Sequence, residues 1–163
     1  RPRQWTSHSN PSSCQQRQRC NQLAKGYVWQ RQPRSLASVG VKTMSKFDPT
    51  QLSQFIGTEC YWRISPSAVL TDGAKYVADT ACAHWLMDAI ASYLPQFTGK
   101  QDFIVAKLVR SSSNCSAQLT LDDGNERVLD QQHIEYTDFP LTSFQLYACW
   151  GSEFWVLMLC SEY

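Results

Sequence analysis

His84 and Asp88 stand four residues apart, the spacing that places two side chains over one another on a helix. A histidine and a carboxylate so placed can act as an acid–base pair or supply two ligands to a metal ion. The plainer reading, and the preferred one, is a histidine at the edge of a core that hydrogen-bonds a neighbouring carboxylate. Asp72, Lys75 and Asp79 fall near one line of the same stretch and suit a solvated charged face, with Asp72 also placed to cap a helix. His133, Tyr136 and Asp138 form a third group. In a strand, residues 136 and 138 share a face and His133 points to the other, so the three do not converge. The run Tyr136-Thr137-Asp138-Phe139-Pro140 reads most simply as a strand end followed by a rigid turn. Loop residues carry function more often than core residues do, which keeps Tyr136 and Asp138 as candidates beside Asp72, Asp79, His84 and Asp88.

Other chemistries find little footing. There is no GxSxG motif for a nucleophilic serine, no local cysteine–histidine arrangement, and no glycine-rich stretch opening a helix to hold phosphate. Of the seven cysteines, Cys14 and Cys20 lie near the start, and Cys60, Cys82, Cys115, Cys149 and Cys160 are scattered singly with no CxxC. Buried free thiols in a reducing compartment explain this pattern better than a disulfide framework. Asn114-Cys115-Ser116 is then a chance match to a glycosylation triplet. His8, Cys14 and Cys20 offer three irregularly spaced ligands where a structural zinc needs four. No cofactor and no metal is expected.

The elements that would position the candidates follow from periodicity. Asp48-Pro49 opens a short first helix: a capping acid, then proline at the first helical position, with Gly57 as the stop. Residues 58–64 read as a short strand ended by Pro66. After Thr71-Asp72-Gly73, apolar residues at Tyr76, Val77, Ala81, Trp85, Ala89, Ile90, Tyr93 and Leu94 keep helical spacing, which predicts one long helix ended by Pro95. Beyond Gly99 the period turns to strands: 103–109, 117–121, a tight hairpin at Asp122-Asp123-Gly124-Asn125 leading into 127–136, a break at Phe139-Pro140, then 143–150 and 153–160 about Gly151-Ser152. The fold expected is α+β, with one long helix packed on a mostly antiparallel sheet of about five to six strands.

Charge divides the chain in two. Residues 1–43 hold eight basic residues and no acid; residues 44–163 hold seven basic residues and all fourteen acids, a net charge of −7. The first segment is rich in Gln, Ser and Arg without apolar period, a composition too polar to offset the entropy of ordering it, and is expected to be disordered. Its leading reading is translated sequence that is not part of the native protein, with Met44 as the true start. A nucleic-acid arm using its cations with Trp5, Tyr27 and Trp29, and an organellar transit peptide, are the alternatives. The 120 residues from Met44 suffice for one core. The longest apolar run, residues 154–160, is far short of the roughly 20 residues a bilayer needs, and no apolar secretory region follows the basic start, so a cytoplasmic home is expected.

The blocks TDGAKYVADTACAHWLMDAIASY, LDDGN, HIEYTDFPL and CSEY resemble a family of small uncharacterised bacterial proteins, found also on phages and plasmids and described only as a domain of unknown function. The resemblance covers about residues 47–163 and departs at Cys160, where the family tends to have proline. It implies a bacterial or phage origin, a cytoplasmic home and a mobile-element setting, and it carries over no catalytic residue. Its pattern begins near a methionine where Met44 stands, in keeping with the leading reading of the first segment. Two functions then stand against each other. One is a non-enzymatic interaction module or inhibitor whose acidic surface meets a basic host protein, direct nucleic-acid binding being opposed by the domain's charge. The other is a small hydrolase or metal-dependent enzyme using the carboxylates and histidine named above, which requires them to converge. Oligomeric state is not legible.

Overall fold

The structure, a computed structural model, describes residues 47–163 other than Asn114. The expectations for residues 1–43 lie outside the described residues. Asp48 accepts the Thr50 amide at 3.0 Å ahead of Pro49, as its position predicts, but the segment it caps is a 3-10 turn over Pro49–Gln54. None of its residues is buried, so no packed face draws the turn on into an α-helix.

Strands β1 (Trp62–Ser65) and β2 (Ala68–Leu70) form a hairpin, followed by helices α1 (Asp72–Thr80) and α2 (His84–Tyr93) and a 3-10 turn at Leu94–Phe97. Then come β3 (Phe103–Arg110), β4 (Ala117–Asp122), β5 (Val128–Ile134), β6 (Ser143–Trp150) and β7 (Trp155–Leu159), closed by a 3-10 turn at Cys160–Glu162. They make one mixed sheet in the order β1-β2-β7-β6-β3-β4-β5. Every pairing is antiparallel except β2 with β7, where Ala68, Val69 and Leu70 run alongside Trp155, Val156 and Leu157.

Two expectations are corrected. The sheet has seven strands rather than five or six, because the chain pairs again just past Pro66: β2 is three residues long, too short for a periodic signal, and all three are buried. The single long helix is two helices of nine and ten residues. Cys82 adopts a left-handed conformation, φ 52°, and the Ala83 amide reaches back to the Ala78 carbonyl at 2.9 Å, the bond that closes a helix around a left-handed residue. The reason lies in the faces. Helix α1 buries Gly73, Ala74, Val77 and Ala78, and α2 buries Leu86, Met87, Ile90 and Ala91. On one straight helix these sets would point roughly 140° apart, at 100° per residue. The elbow at Cys82 turns both onto the sheet. The stripe that suggested continuity, Tyr76, Ala81, Trp85, Ala89 and Tyr93, marks the half-buried margin instead.

The helices cover one face, where Leu70, Ile104, Leu119, Leu146 and Leu157 join the core. The opposite face carries no helix and holds a smaller cluster of Val69, Cys149, Phe154, Val156 and Met158, flanked by Tyr61, Phe103, Tyr147 and Tyr163. Strand β7 is buried along its whole length. None of the five cysteines of the described residues is in a disulfide, but only Cys149 is buried. Cys82 is exposed because it forms the elbow, and Cys160 because it lies in the turn just past β7.

Candidate functional site

The candidate carboxylates sort themselves by what satisfies their oxygens. Thr71, not Asp72, caps α1, its hydroxyl accepting the Ala74 amide at 3.4 Å. Asp72 instead turns back over the segment before β1. Its Oδ2 accepts the amides of Glu59 (2.7 Å) and Cys60 (3.1 Å) and the Thr58 hydroxyl (3.1 Å), and its Oδ1 accepts the indole N–H of Trp62 (3.0 Å). Partial burial pushes this carboxyl's pKa up. The donors Trp62, Glu59, Cys60 and Thr58 together outweigh that and hold it below the ordinary aspartate value. A carboxylate so engaged has little room to take a proton or a ligand. It ties residues 58–62 to α1.

Trp62 connects Asp72 to the next group. The Lys75 ammonium lies 5.3 Å from the centre of the Trp62 ring and is paired with Asp79 one turn along α1. The other oxygen of Asp79 meets His84 Nε2 at 2.9 Å across the elbow. Burial raises the Asp79 pKa, and hydrogen bonding and charge from Lys75, then His84, more than offset it. His84 therefore pairs with Asp79, five residues back across the bend, rather than with Asp88 as helical spacing suggested. The bend that creates this pair is the feature periodicity did not show. Asp88 sits exposed on α2.

Tyr136 and Asp138 belong to a different region. Strand β5 ends at Ile134, and in the exit it is Thr137 and Phe139 that turn inward. The Thr137 amide bonds the Cys115 carbonyl, its hydroxyl accepts the Phe139 amide at 3.1 Å, and Arg110 donates to the Phe139 carbonyl at 2.9 Å. Tyr136 and Asp138 point outward, Tyr136 with 72% of its surface exposed. His133 is exposed on the edge strand. Of the candidates, then, Asp79 and His84 touch, Asp72 joins them only through Trp62 and Lys75, and Asp88, Tyr136 and Asp138 stand apart. Among the described residues no group of three or more His, Cys, Asp or Glu is placed to hold a metal ion.

Glu162 was no candidate by sequence, yet it joins two distant parts of the chain. It is buried, and its carboxylate accepts the Gly73 amide (3.0 Å), the Thr71 hydroxyl (2.6 Å) and the Leu159 amide (2.9 Å). The positive end of α1 thus receives a carboxylate from beyond β7. Gly73 is what lets it in: a Cβ there would stand 2.6 Å from Leu159 Cδ1 and 2.7 Å from a Glu162 oxygen. The TDG and SEY blocks, far apart in the chain, meet here; a glycine just inside a helix start was the signal available.

A further group of acids lines one rim. Between residues 122 and 138 stand six acids and one base, Arg127. Asp122 is buried and paired with Lys107 at 2.9 Å. Asp123 caps the amides of the hairpin loop, and Asp130 accepts the Gln131 amide of its own strand (2.8 Å) and the Gln96 side chain (3.1 Å). Glu126 at the loop, and Glu135 and Asp138 beyond the far end of β5, are exposed along the outer edge of the sheet.

Residues 47–163 match the model of a family described as "Family of unknown function (DUF6876)", and the chain belongs to that family. No curated protein matches the sequence. A solved structure, the crystal structure of a protein of unknown function from Enterococcus faecalis, is similar at a TM-score of 0.42 and 13% identity, over 60% of this chain and 91% of that one. No helix among the described residues is long and apolar enough to cross a membrane.

Proposed function

We propose that the domain is a non-enzymatic protein-interaction module whose acidic sheet rim docks a basic protein. The carrying observation is the difference in use of its acids. Asp72, Asp122 and Glu162 are engaged inside the fold, whereas Glu126, Glu135 and Asp138 stand exposed on either side of β5 with Arg127 the one base in that stretch. A rim of one sign speeds encounter with a partner of the other and repels nucleic-acid phosphate. The setting taken for it is the bacterial cytoplasm and a mobile element, as the sequence resemblance implies. The full-length chain and its E126K/E135K/D138K variant, each immobilised and exposed to bacterial lysate, test this. The expected result is a basic protein kept by the wild type, lost from the variant and released by about 0.5 M salt, where screening is short-ranged. Equal retention by both, or retention of duplex DNA instead, overturns the reading.

A second reading, a small hydrolase, rests on the 2.9 Å contact of His84 with Asp79, the orientation a general base requires. It expects ester hydrolysis by the wild type that His84→Ala abolishes. Equal rates for the two proteins dismiss it.

A further inference from the structure

We propose that residues 160–163 form a latched strap, with Glu162 as the latch and Tyr163 as the cover of an aromatic patch on the helix-free face of the sheet. The segment straddles the end of β7. On the helix side Glu162 enters the cradle of Thr71, Gly73 and Leu159, whose three donors come from two separate elements. On the other side Tyr163 packs against Phe103, ring centres 5.4 Å apart, and edge-on against Tyr147 at 5.5 Å. Phe103 and Tyr147 also touch each other, at 5.1 Å, and all three flank the cluster containing Val156 and Met158.

The two anchorages differ in kind. Glu162 is held by directional bonds in a space that the missing Cβ of Gly73 leaves open, so small changes in its side chain release it. Tyr163 is held by ring contacts and by its attachment one residue from the latch. The neighbouring Cys160 thiol lies exposed, its sulfur 3.7 Å from the Gln145 carbonyl and hydrogen-bonded to Tyr147 as well. The Ser161 hydroxyl donates to the Leu52 carbonyl at 3.1 Å, in the exposed 3-10 turn near the start of the described residues. Lifting Glu162 therefore lifts Tyr163 and bares Phe103, Tyr147 and the apolar side chains beneath, while the seven-stranded pairing stays intact.

The full-length wild type, Glu162→Gln and Tyr163→Ala test this by amide hydrogen exchange and by binding of the dye ANS. In E162Q the amides of Gly73 and Leu159 should exchange roughly tenfold faster, with dye fluorescence raised severalfold and the Leu119 amide of β4 unchanged. In Y163A dye fluorescence should rise while the Gly73 amide keeps its protection. Three results overturn the proposal. One is E162Q with Gly73 and Leu159 protected as in the wild type. Another is no rise in dye binding in either variant. The third is loss of protection at Leu119 in E162Q, which would make the strap part of the core rather than a latch upon it.

Discussion

Around the start of α1, Asp72 and Glu162 direct their oxygens at seven donors drawn from residues 58–62, 71–73 and 159. At the two ends of β5, Glu126, Glu135 and Asp138 present the same carboxylates to solvent. The residue types alone do not distinguish the two regions; the geometry of the donors does. A carboxylate that replaces its water by several protein donors becomes a joint between chain segments, and its removal leaves those donors unsatisfied. One that keeps its water costs little to alter and remains available to a partner.

Substitutions can break that contrast, and the largest effect is expected at Gly73. Gly73→Ala drives a methyl into Leu159 and Glu162 and expels the carboxylate, a loss of about 3 kcal/mol or more in denaturant unfolding. Asp72→Ala follows, at about 2–3 kcal/mol, because four donors lose a charged acceptor. Asp72 also carries a pH signature. Its carboxyl is held below its ordinary value of 3.8, so its stabilisation is present above that pH and is lost as pH falls below it; D72N should flatten the acid limb of stability against pH. Asp79→Asn should cost only about 0.5 kcal/mol, since the Lys75–Asp79–His84 chain is exposed. The triple reversal E126K/E135K/D138K should leave the melting temperature nearly unchanged. A substantial loss there would mean that the rim holds the fold together and the contrast is false. Smallest of all, deletion of residues 1–43 should shift the melting temperature by no more than about a degree, as for a segment without apolar period.

What the sequence made legible was local. Strands β3, β6 and β7 and the hairpin at Asp122-Gly124 are written in short-range alternation and in turn chemistry, and Gly124 does adopt the positive φ, 78°, that its place in the turn calls for. The break at Cys82 was not legible, because two buried faces separated by an elbow look like one broad stripe when projected on a single helix. Strand β2 hides in three residues, too few to show alternation, and one of its two neighbours is the distant β7. At the candidate site, the His84–Asp88 spacing of a continuous helix gives way to a His84–Asp79 contact across the elbow, for the same reason the helix divides. Glu162 escaped notice because an isolated acid between Ser161 and Tyr163 has no local pattern; its meaning depends on the distant start of α1.

The parallel pairing of β2 with β7 has a kinetic consequence. The hairpins β1–β2, β3–β4, β4–β5 and β6–β7 each join neighbouring segments and close small loops, whereas the second edge of Ala68–Leu70 meets its partner far along the chain, at Trp155–Leu157. Closing so long a loop is slow relative to forming the hairpins, so the β1–β2 hairpin and the helices wait to dock on a strand already paired to β6. Until that junction closes, one edge of β7 lies bare, and it is in that interval that the chain is most exposed to pairing with the wrong neighbour.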